Sequence, residues 1–448
     1  PIPAVLNLGD LTGDNGFRLD GAESLGRSGT TVASAGDVNG DGFDDVIISA
    51  ISQGAGDAIA YVVFGNASGW PDIFALSTLN GTTGFRIDSL TGQENYGVSA
   101  ASAGDINGDG FDDLIIGQIA YDVGSIVDAG SAFVVFGKAS GWSATLALSS
   151  LNGSNGFRIN GLATSDLFGS SVGSAGDVNG DGFGDFMIGM PGADPISVQN
   201  SGSTYVIFGH GSAWAATFNL TSLTGANGFR LDGVAEFDRS GEAIASAGDV
   251  NGDGYDDVIV GADSADPGNV SIAGSAFVVF GKPGGWTSTI ALSSLNGSNG
   301  FRINSTVFEE FAGAGVASAG DINGDGYGDL IVGAPGADPG GNDAAGTAYV
   351  IFGKPSGWTS TLNLSSLNGT NGFRIDGAAS SNFVGIAVAP AGDVNGDGFD
   401  DLIVGAQGAD PGSTTNGGSS YVIYGKASGW TAALPLASLN GTNGFRLD

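Results

Sequence analysis

The chain of 448 residues has no cysteine, so no disulfide braces it and cysteine usage assigns no redox compartment. Basic residues are scarce. Thirteen lysines and arginines stand against 47 aspartates and glutamates, and the formal net charge of −34 argues against a nucleic-acid partner. No run of about 18 apolar residues occurs, so no helical membrane span is expected. Pro1-Ile2-Pro3 lacks the basic and apolar regions of a signal peptide, and the chain reads as a mature or excised segment of something longer. Sustained helical periodicity is missing, as are nucleophile-elbow, P-loop and HExxH patterns.

Glycine is abundant, with 83 residues, and the sequence repeats itself. Asp37-Val38-Asn39-Gly40-Asp41-Gly42-Phe43-Asp44-Asp45, followed by Val46-Ile47-Ile48, recurs from Asp105, Asp177, Asp249, Asp321 and Asp393. A fixed long period marks a repeat architecture. Positions 1, 3 and 5 carry oxygen ligands, here Asp37, Asn39 and Asp41. Gly42 at position 6 permits a sharp turn, Phe43 at position 7 offers a backbone carbonyl, and Asp45 stands at position 9. Alternating oxygen donors on a glycine-pinned loop suit a hard cation such as Ca²⁺. The equivalent sets are Asp105, Asn107, Asp109, Phe111, Asp113; Asp177, Asn179, Asp181, Phe183, Asp185; Asp249, Asn251, Asp253, Tyr255, Asp257; Asp321, Asn323, Asp325, Tyr327, Asp329; and Asp393, Asn395, Asp397, Phe399, Asp401. Position 8 is Asp in four copies but Gly184 and Gly328 in two, so it is left out of the set.

A helix–loop–helix calcium site would need a Glu at position 12. Here position 12 is Ile48, Ile116, Ile188, Val260, Val332 and Val404, all β-branched, so the loop joins two strands. Without cations, the 22 aspartates of the six loops would repel one another strongly. Folding is therefore expected to require about six Ca²⁺, which would reduce the net charge to about −22. Cytosolic calcium is too low for weak or moderate sites, so an extracellular or cell-surface setting fits.

Each repeat contains four strand-like segments. In the third copy these are A (168–175), B (186–189), C (203–209) and D (228–232), with the acidic loop 177–185 between A and B. Four short strands repeated radially describe propeller blades. The expectation is an all-β fold, a β-propeller of six blades of four antiparallel strands with the calcium loops between A and B, as a single domain over 1–448. The repeats fall at approximately 21–88, 89–160, 161–232, 233–304, 305–376 and 377–448. The D segment occurs seven times, with its Phe at 17, 85, 157, 229, 301, 373 and 445. Residues 1–20 are thus an extra N-terminal strand for ring closure. One terminal D copy is surplus, free to add to an edge or to pair with a neighbouring molecule.

Phe168-Gly169 … Ala175-Gly176-Asp177-Val178-Asn179-Gly180-Asp181-Gly182 … Asp185 … Ile188-Gly189-Met190-Pro191 resembles an FG-GAP repeat, and Gly333-Ala334-Pro335 supplies the GAP literally. Such repeats build the N-terminal propeller of integrin α chains. The resemblance implies that Asp37, Asn39, Asp41, Asp45 and their equivalents bind calcium. The integrin propeller has seven blades, so an alternative is a seven-bladed ring with one incomplete blade. In the first copy Ile48-Ser49-Ala50-Ile51 replaces the GAP, and the B–C loop is four residues shorter. Similar repeats occur in bacterial surface proteins and in some propeller lectins, so the resemblance leaves the partner open.

Alternating strand direction puts the A–B and C–D connections on one face, and the B–C and D–A connections on the other. The B–C loops (118–129, 192–202, 262–273 and 406–417) share little beyond Ala-Asp-Pro. Glu23, Glu94, Glu236, Glu242, Glu309 and Glu310 all fall in or near D–A connections. Variable loops on a rigid scaffold carry binding, so the recognition face is expected opposite the calcium loops and is acidic.

Seven of nine arginines belong to Gly-Phe-Arg and are expected to pair with the Asp or Asn two residues on. The four lysines and His210 share one repeat position. Arg27 and Arg239 stand outside the pattern, with a surface or loop-packing role as the default. Trp70, Trp142, Trp214, Trp286, Trp358 and Trp430 also share one position, either packing blades or offering a ring of sugar platforms. The leading reading is an extracellular adhesion or protein-interaction module. A calcium-dependent lectin is the alternative, and a polysaccharide-acting enzyme is the weakest reading.

Overall fold

The computed structural model describes residues 3–22, 26–50, 58–89, 98–412 and 414–448, with the side chains of 58 and 59 left aside. The six acidic loops are each followed by an apolar run with a β-branched residue at position 12, and each run forms a largely buried strand. In blade 3, strand A (Val172–Gly176), strand B (Asp185–Met190), strand C (Ser203–Ile207) and strand D (Gly228–Asp232) pair antiparallel in sequence order. A register shift between Ser174 and Gly176 bends strand A into the loop. The pattern recurs six times, giving the expected all-β, six-bladed propeller of four-stranded units. The helical elements among the described residues are short 3₁₀ turns.

Every blade also carries a fifth strand, which was not read from the sequence. Thr289–Ala291, from the C–D connection of the next repeat, adds parallel to strand D of blade 3 (Arg230↔Thr289). At two or three residues, such strands are too short to show alternation. In blade 6 the place is taken by Val5–Leu6, which pairs parallel with Gly444–Leu447. The N-terminal D copy, Arg18–Asp20, instead pairs parallel with Ile73–Ala75 as a separate two-stranded sheet. The C-terminal D copy therefore completes the sixth blade, and the N-terminal copy is the surplus one.

Blades pack through aromatic stacks. Phe157 and Phe229, both fully buried, lie flat on Trp214 and Trp286 of the following repeat at 4.4 Å. Burying each Phe contributes about 1.5–3 kcal/mol, and the stack adds about 0.5–1.5 kcal/mol. The lysine four residues earlier covers the other face of Trp142, Trp286, Trp358 and Trp430 at 4.5 Å. His210 does the same for Trp214 at 4.0 Å. With both ring faces covered, these five indoles pack blades and leave no open platform for a sugar.

The variable position 8 has a role between blades. Asp112 Oδ2 accepts the Asp37 N–H of the preceding loop at 2.8 Å. Asp256 and Asp400 accept those of Asp177 and Asp321 at the same distance. Where position 8 is glycine the side-chain latch is lost and the backbone bond alone remains: Gly184 and Gly328 donate to the carbonyls of Asp105 and Asp249 at 2.9 Å, as Asp112 and Asp256 also do to those of Asp37 and Asp177 at 3.2 Å. Beside the latch, the position 7 ring lies directly on a loop glycine. A Cβ on Gly180, at φ +73°, would collide with Tyr255.

Asp256→Ala removes an acceptor from a partly buried N–H and is expected to cost about 1–3 kcal/mol. Asp44→Ala, at the equivalent position of the first blade, removes no bond of this kind and should stay within about 0.5 kcal/mol of the parent. Denaturant unfolding of both variants checks this. Equal losses would contradict the latch.

Candidate metal loops and the opposite rim

Each acidic loop is held by its own amides. Asp177 Oδ1 accepts the N–H groups of Gly180 (2.7 Å) and Asp181 (3.1 Å), and its Oδ2 accepts that of Gly182 (2.9 Å). Asp181 Oδ1 accepts the Phe183 N–H at 3.0 Å. Glycines with positive φ at 176, 180 and 182 allow these amides to turn inward. The first-position aspartates Asp37, Asp105, Asp249, Asp321 and Asp393 make the same kind of bonds. The amide bonds, led by that from Gly398, hold the Asp393 carboxyl below its ordinary range.

Position 9 differs from the other aspartates of the loop because it is buried. Asp45, Asp113, Asp185, Asp257, Asp329 and Asp401 are at most 1% exposed. Asp185 Oδ2 accepts the Val178 N–H at 3.0 Å and its Oδ1 accepts the Gly209 N–H at 2.9 Å, joining the loop to the end of strand C. The other five repeat this pair of bonds. Burial pushes the carboxyls of Asp113, Asp185, Asp257 and Asp329 up to about 8, and that of Asp45 up to about 7. The two amides oppose the rise. The negative charges at positions 5 and 1, such as Asp181 and Asp177, add to it. Burial raises Asp401 as well.

Positions 1, 5 and 9 are thus within electrostatic reach of one another. Position 3 splits: the Asn179 and Asn323 side-chain amides point at Asp185 and Asp329, whereas Asn107 and Asn251 accept loop N–H groups at 2.9 Å. Phe111, Phe183, Tyr255, Tyr327 and Phe399 place their rings on the preceding loop, while Phe43 is 43% exposed. Among the described residues, no three acidic or histidine side chains converge into a preformed cluster. The donor set nevertheless fits a hard cation. It consists of carboxylate, amide and carbonyl oxygens alone, and a carboxylate oxygen that accepts one amide keeps a second lone pair.

The opposite rim has a different character. All 17 non-glycine residues with positive φ among those described lie in B–C or D–A connections, including Leu167, Ile196, Phe237, Arg239, Glu309 and Phe383. Such backbone costs about 1–3 kcal/mol per residue and persists where the surroundings impose it. The shared Asp of Ala-Asp-Pro closes the B–C loop: Asp194 and Asp266 Oδ1 accept the N–H groups of Asn200 and Ile272 at 2.6 Å. The two kinds of loop also bridge each other, as Gly202 does with Ser240. Ile196 is 81% exposed, and Phe237, Val307 and Phe308 are at least half exposed.

The glutamates of this rim divide. Glu242 pairs with the part-exposed Arg239 at 2.7 Å. Glu310 is buried, hydrogen-bonded to Ser305 and raised by burial. Glu23 and Glu94 lie outside the described residues. Of the Gly-Phe-Arg arginines, Arg18, Arg86, Arg230, Arg374 and Arg446 pair with the Asp two residues on. Arg158 and Arg302, which face Asn, turn to Tyr121 Oη and Ser275 Oγ at 3.0 Å, because a neutral amide offers no charge to hold them.

The profile of the FG-GAP repeat family matches residues 28–62, 168–207, 240–279, 312–351 and 384–423, falling on five of the six blades. The unmatched second repeat has the same strands and carries Gly117-Gln118-Ile119 at the Gly-Ala-Pro position. Integrin alpha-5 of Xenopus laevis is 34% identical over 203 residues, covering 44% of this chain and 17% of that protein. Integrin alpha-V of Gallus gallus is 29% identical over 247 residues, covering 53% and 20%. Phosphatidylinositol-glycan-specific phospholipase D of Mus musculus is 36% identical over 126 residues, covering 28% and 14%. The chain spans a fifth or less of the length of these relatives. Fold, repeat and relatives agree that this chain is an integrin-like β-propeller built of FG-GAP repeats.

Proposed function

We propose that the chain is a calcium-stabilised, extracellular or cell-surface propeller that binds a protein partner through its B–C and D–A rim and catalyses no reaction. The observation that carries this reading is the contrast between the faces. One bears six near-identical acidic loops, and the other holds, among the described residues, all the non-glycine left-handed backbone, together with the exposed Ile196, Phe237 and Phe308. Apolar side chains beside Glu236 and Glu309, on a chain of net charge −34, suit a partner surface that combines basic and apolar residues. Relatives named integrin alpha support an adhesion role.

Asp177, Asn179, Asp181, the Phe183 carbonyl and Asp185, with their equivalents, would hold about six calcium ions. A bound ion supplies positive charge to a buried carboxylate that otherwise retains its proton. Asp185 fixes the loop to strand C, and Asp177 gathers the loop amides. Together they keep each A–B connection in register with its blade.

Two outcomes are expected. In chelator, Asp113, Asp185, Asp257 and Asp329 hold protons in the folded state up to about pH 8, and Asp45 up to about pH 7, but all release them near pH 4 when unfolded. Folding therefore binds protons in that window, and stability should fall as pH rises from about 4 to about 8. Millimolar calcium should flatten the profile and raise Tm at pH 7.5 by roughly 10 °C or more. Superimposable melting curves in calcium and chelator would contradict the calcium reading. For the rim, cell attachment to surfaces coated with the Phe237→Asp, Phe308→Asp double variant should fall at least about tenfold with Tm unchanged. Undiminished attachment would place the partner elsewhere.

A further inference from the structure

The repeat serves as its own control. A side chain that every blade needs recurs, and one that departs in a single blade answers to something local. Where the fifth repeat has Glu310, the third and fourth have Asp166 and Asp238, and the sixth has Asn382. Where it has Ser305, these three have Gly161, Gly233 and Gly377. The second repeat keeps Ser89 and Glu94 but has Phe133 in place of Tyr349. Only the fifth repeat combines Ser, Glu and Tyr with its Gly-Phe-Arg arginine, Arg374.

These four side chains meet at a cleft of about 210 Å³ between blades 4 and 5. Ser305 follows strand D of blade 4 (Gly300–Asn304), and Glu310 lies on the connection into blade 5. Strand pairing in blade 5 sets Arg374 directly opposite Tyr349, so both project from the same sheet face. Glu310 is only 8% exposed. Its Oε2 accepts the Ser305 hydroxyl. Its Oε1 accepts that of Tyr349 at 3.5 Å, the long limit of a hydrogen bond, and so has room for a stronger donor. Arg374 Nε pairs with Asp376 at 3.0 Å, which steadies the guanidinium and leaves its two terminal nitrogens as further donors. Asp376 is not part of the cleft wall. Val307, Leu364, Leu367 and Ala433 give the wall an apolar side.

The cleft therefore presents one carboxyl and one guanidinium across a small apolar space. A ligand with a single charge would leave the other group facing hydrocarbon, at a desolvation cost. The volume falls below that of a site for a drug-sized molecule. We propose that this cleft binds a free aliphatic α-amino acid, with its ammonium on Glu310, its carboxylate on Arg374 and its side chain against Leu364 and Leu367. The site shares no residue with the acidic loops, so it stands apart from the calcium reading and from the choice of protein partner.

The test is calorimetric titration of the full chain in calcium with L-leucine, and with its two halves, isoamylamine and isocaproate. L-leucine should bind one per chain with millimolar or tighter affinity, and each half at least about tenfold more weakly. Glu310→Gln keeps the shape of the side chain and removes its charge, and should weaken L-leucine at least about tenfold. Ser365→Trp fills the cleft from an exposed position of its lining and should abolish binding with Tm unchanged. The proposal is overturned if L-leucine does not bind the parent chain at millimolar concentration, or if isoamylamine binds as well as L-leucine. Undiminished binding by the folded Ser365→Trp variant overturns it equally, whether or not Glu310→Gln folds.

Discussion

The structure depends on one carboxylate per blade that is buried where water cannot reach it. The aspartate at loop position 9 opens strand B and takes one amide from its own loop and one from the end of strand C. Those two bonds define where strand A ends, where the loop turns, and how strand C departs. Desolvation opposes the charge, and the neighbouring aspartates at positions 1 and 5 oppose it further. Within the loop, a negative charge at that point would be met by dipoles alone. The repeat thus contains an electrostatic deficit, placed six times on one face, and a bound cation is the simplest means of relieving it.

From that anchor the architecture extends outward and sideways. The loop held by position 9 presents glycines to the next blade, whose position 7 ring and position 8 aspartate seat against them. Farther out, the D-strand Phe stacks on the next repeat's Trp, and the short parallel strand ties each repeat to its predecessor. Conservative loops on one face leave the other free to vary. That is where non-glycine residues adopt left-handed backbone and where Ile196 and Phe308 face solvent.

Much of this was legible in the sequence because the repeat multiplied weak signals. A single Asp-x-Asn-x-Asp-Gly would be ambiguous, but six copies each followed by an apolar run that is β-branched at position 12 leave little room for helix. The surplus seventh D copy was visible by counting. What the sequence hid were features without pattern. The fifth strands are two or three residues long and pair with another repeat. Position 8 looked variable because its partner lies about 75 residues away, where Asp112 meets Asp37. Trp142 and its equivalents carry no mark of whether their faces are open. Only the stacked Phe85 and the overlying Lys138 decide that they pack. The burial of Glu310 against Ser305 and Tyr349, in a run that otherwise reads as exposed and acidic, was equally hidden.

Isothermal titration of the chelated chain with calcium, repeated at pH 7 in two buffers of different ionisation enthalpy, measures ions bound and protons released together. About six ions per chain are expected, with proton release as the position 9 carboxyls ionise. Absence of binding at millimolar calcium, or binding of one or two ions without proton release, would contradict the view that these loops are completed by cations.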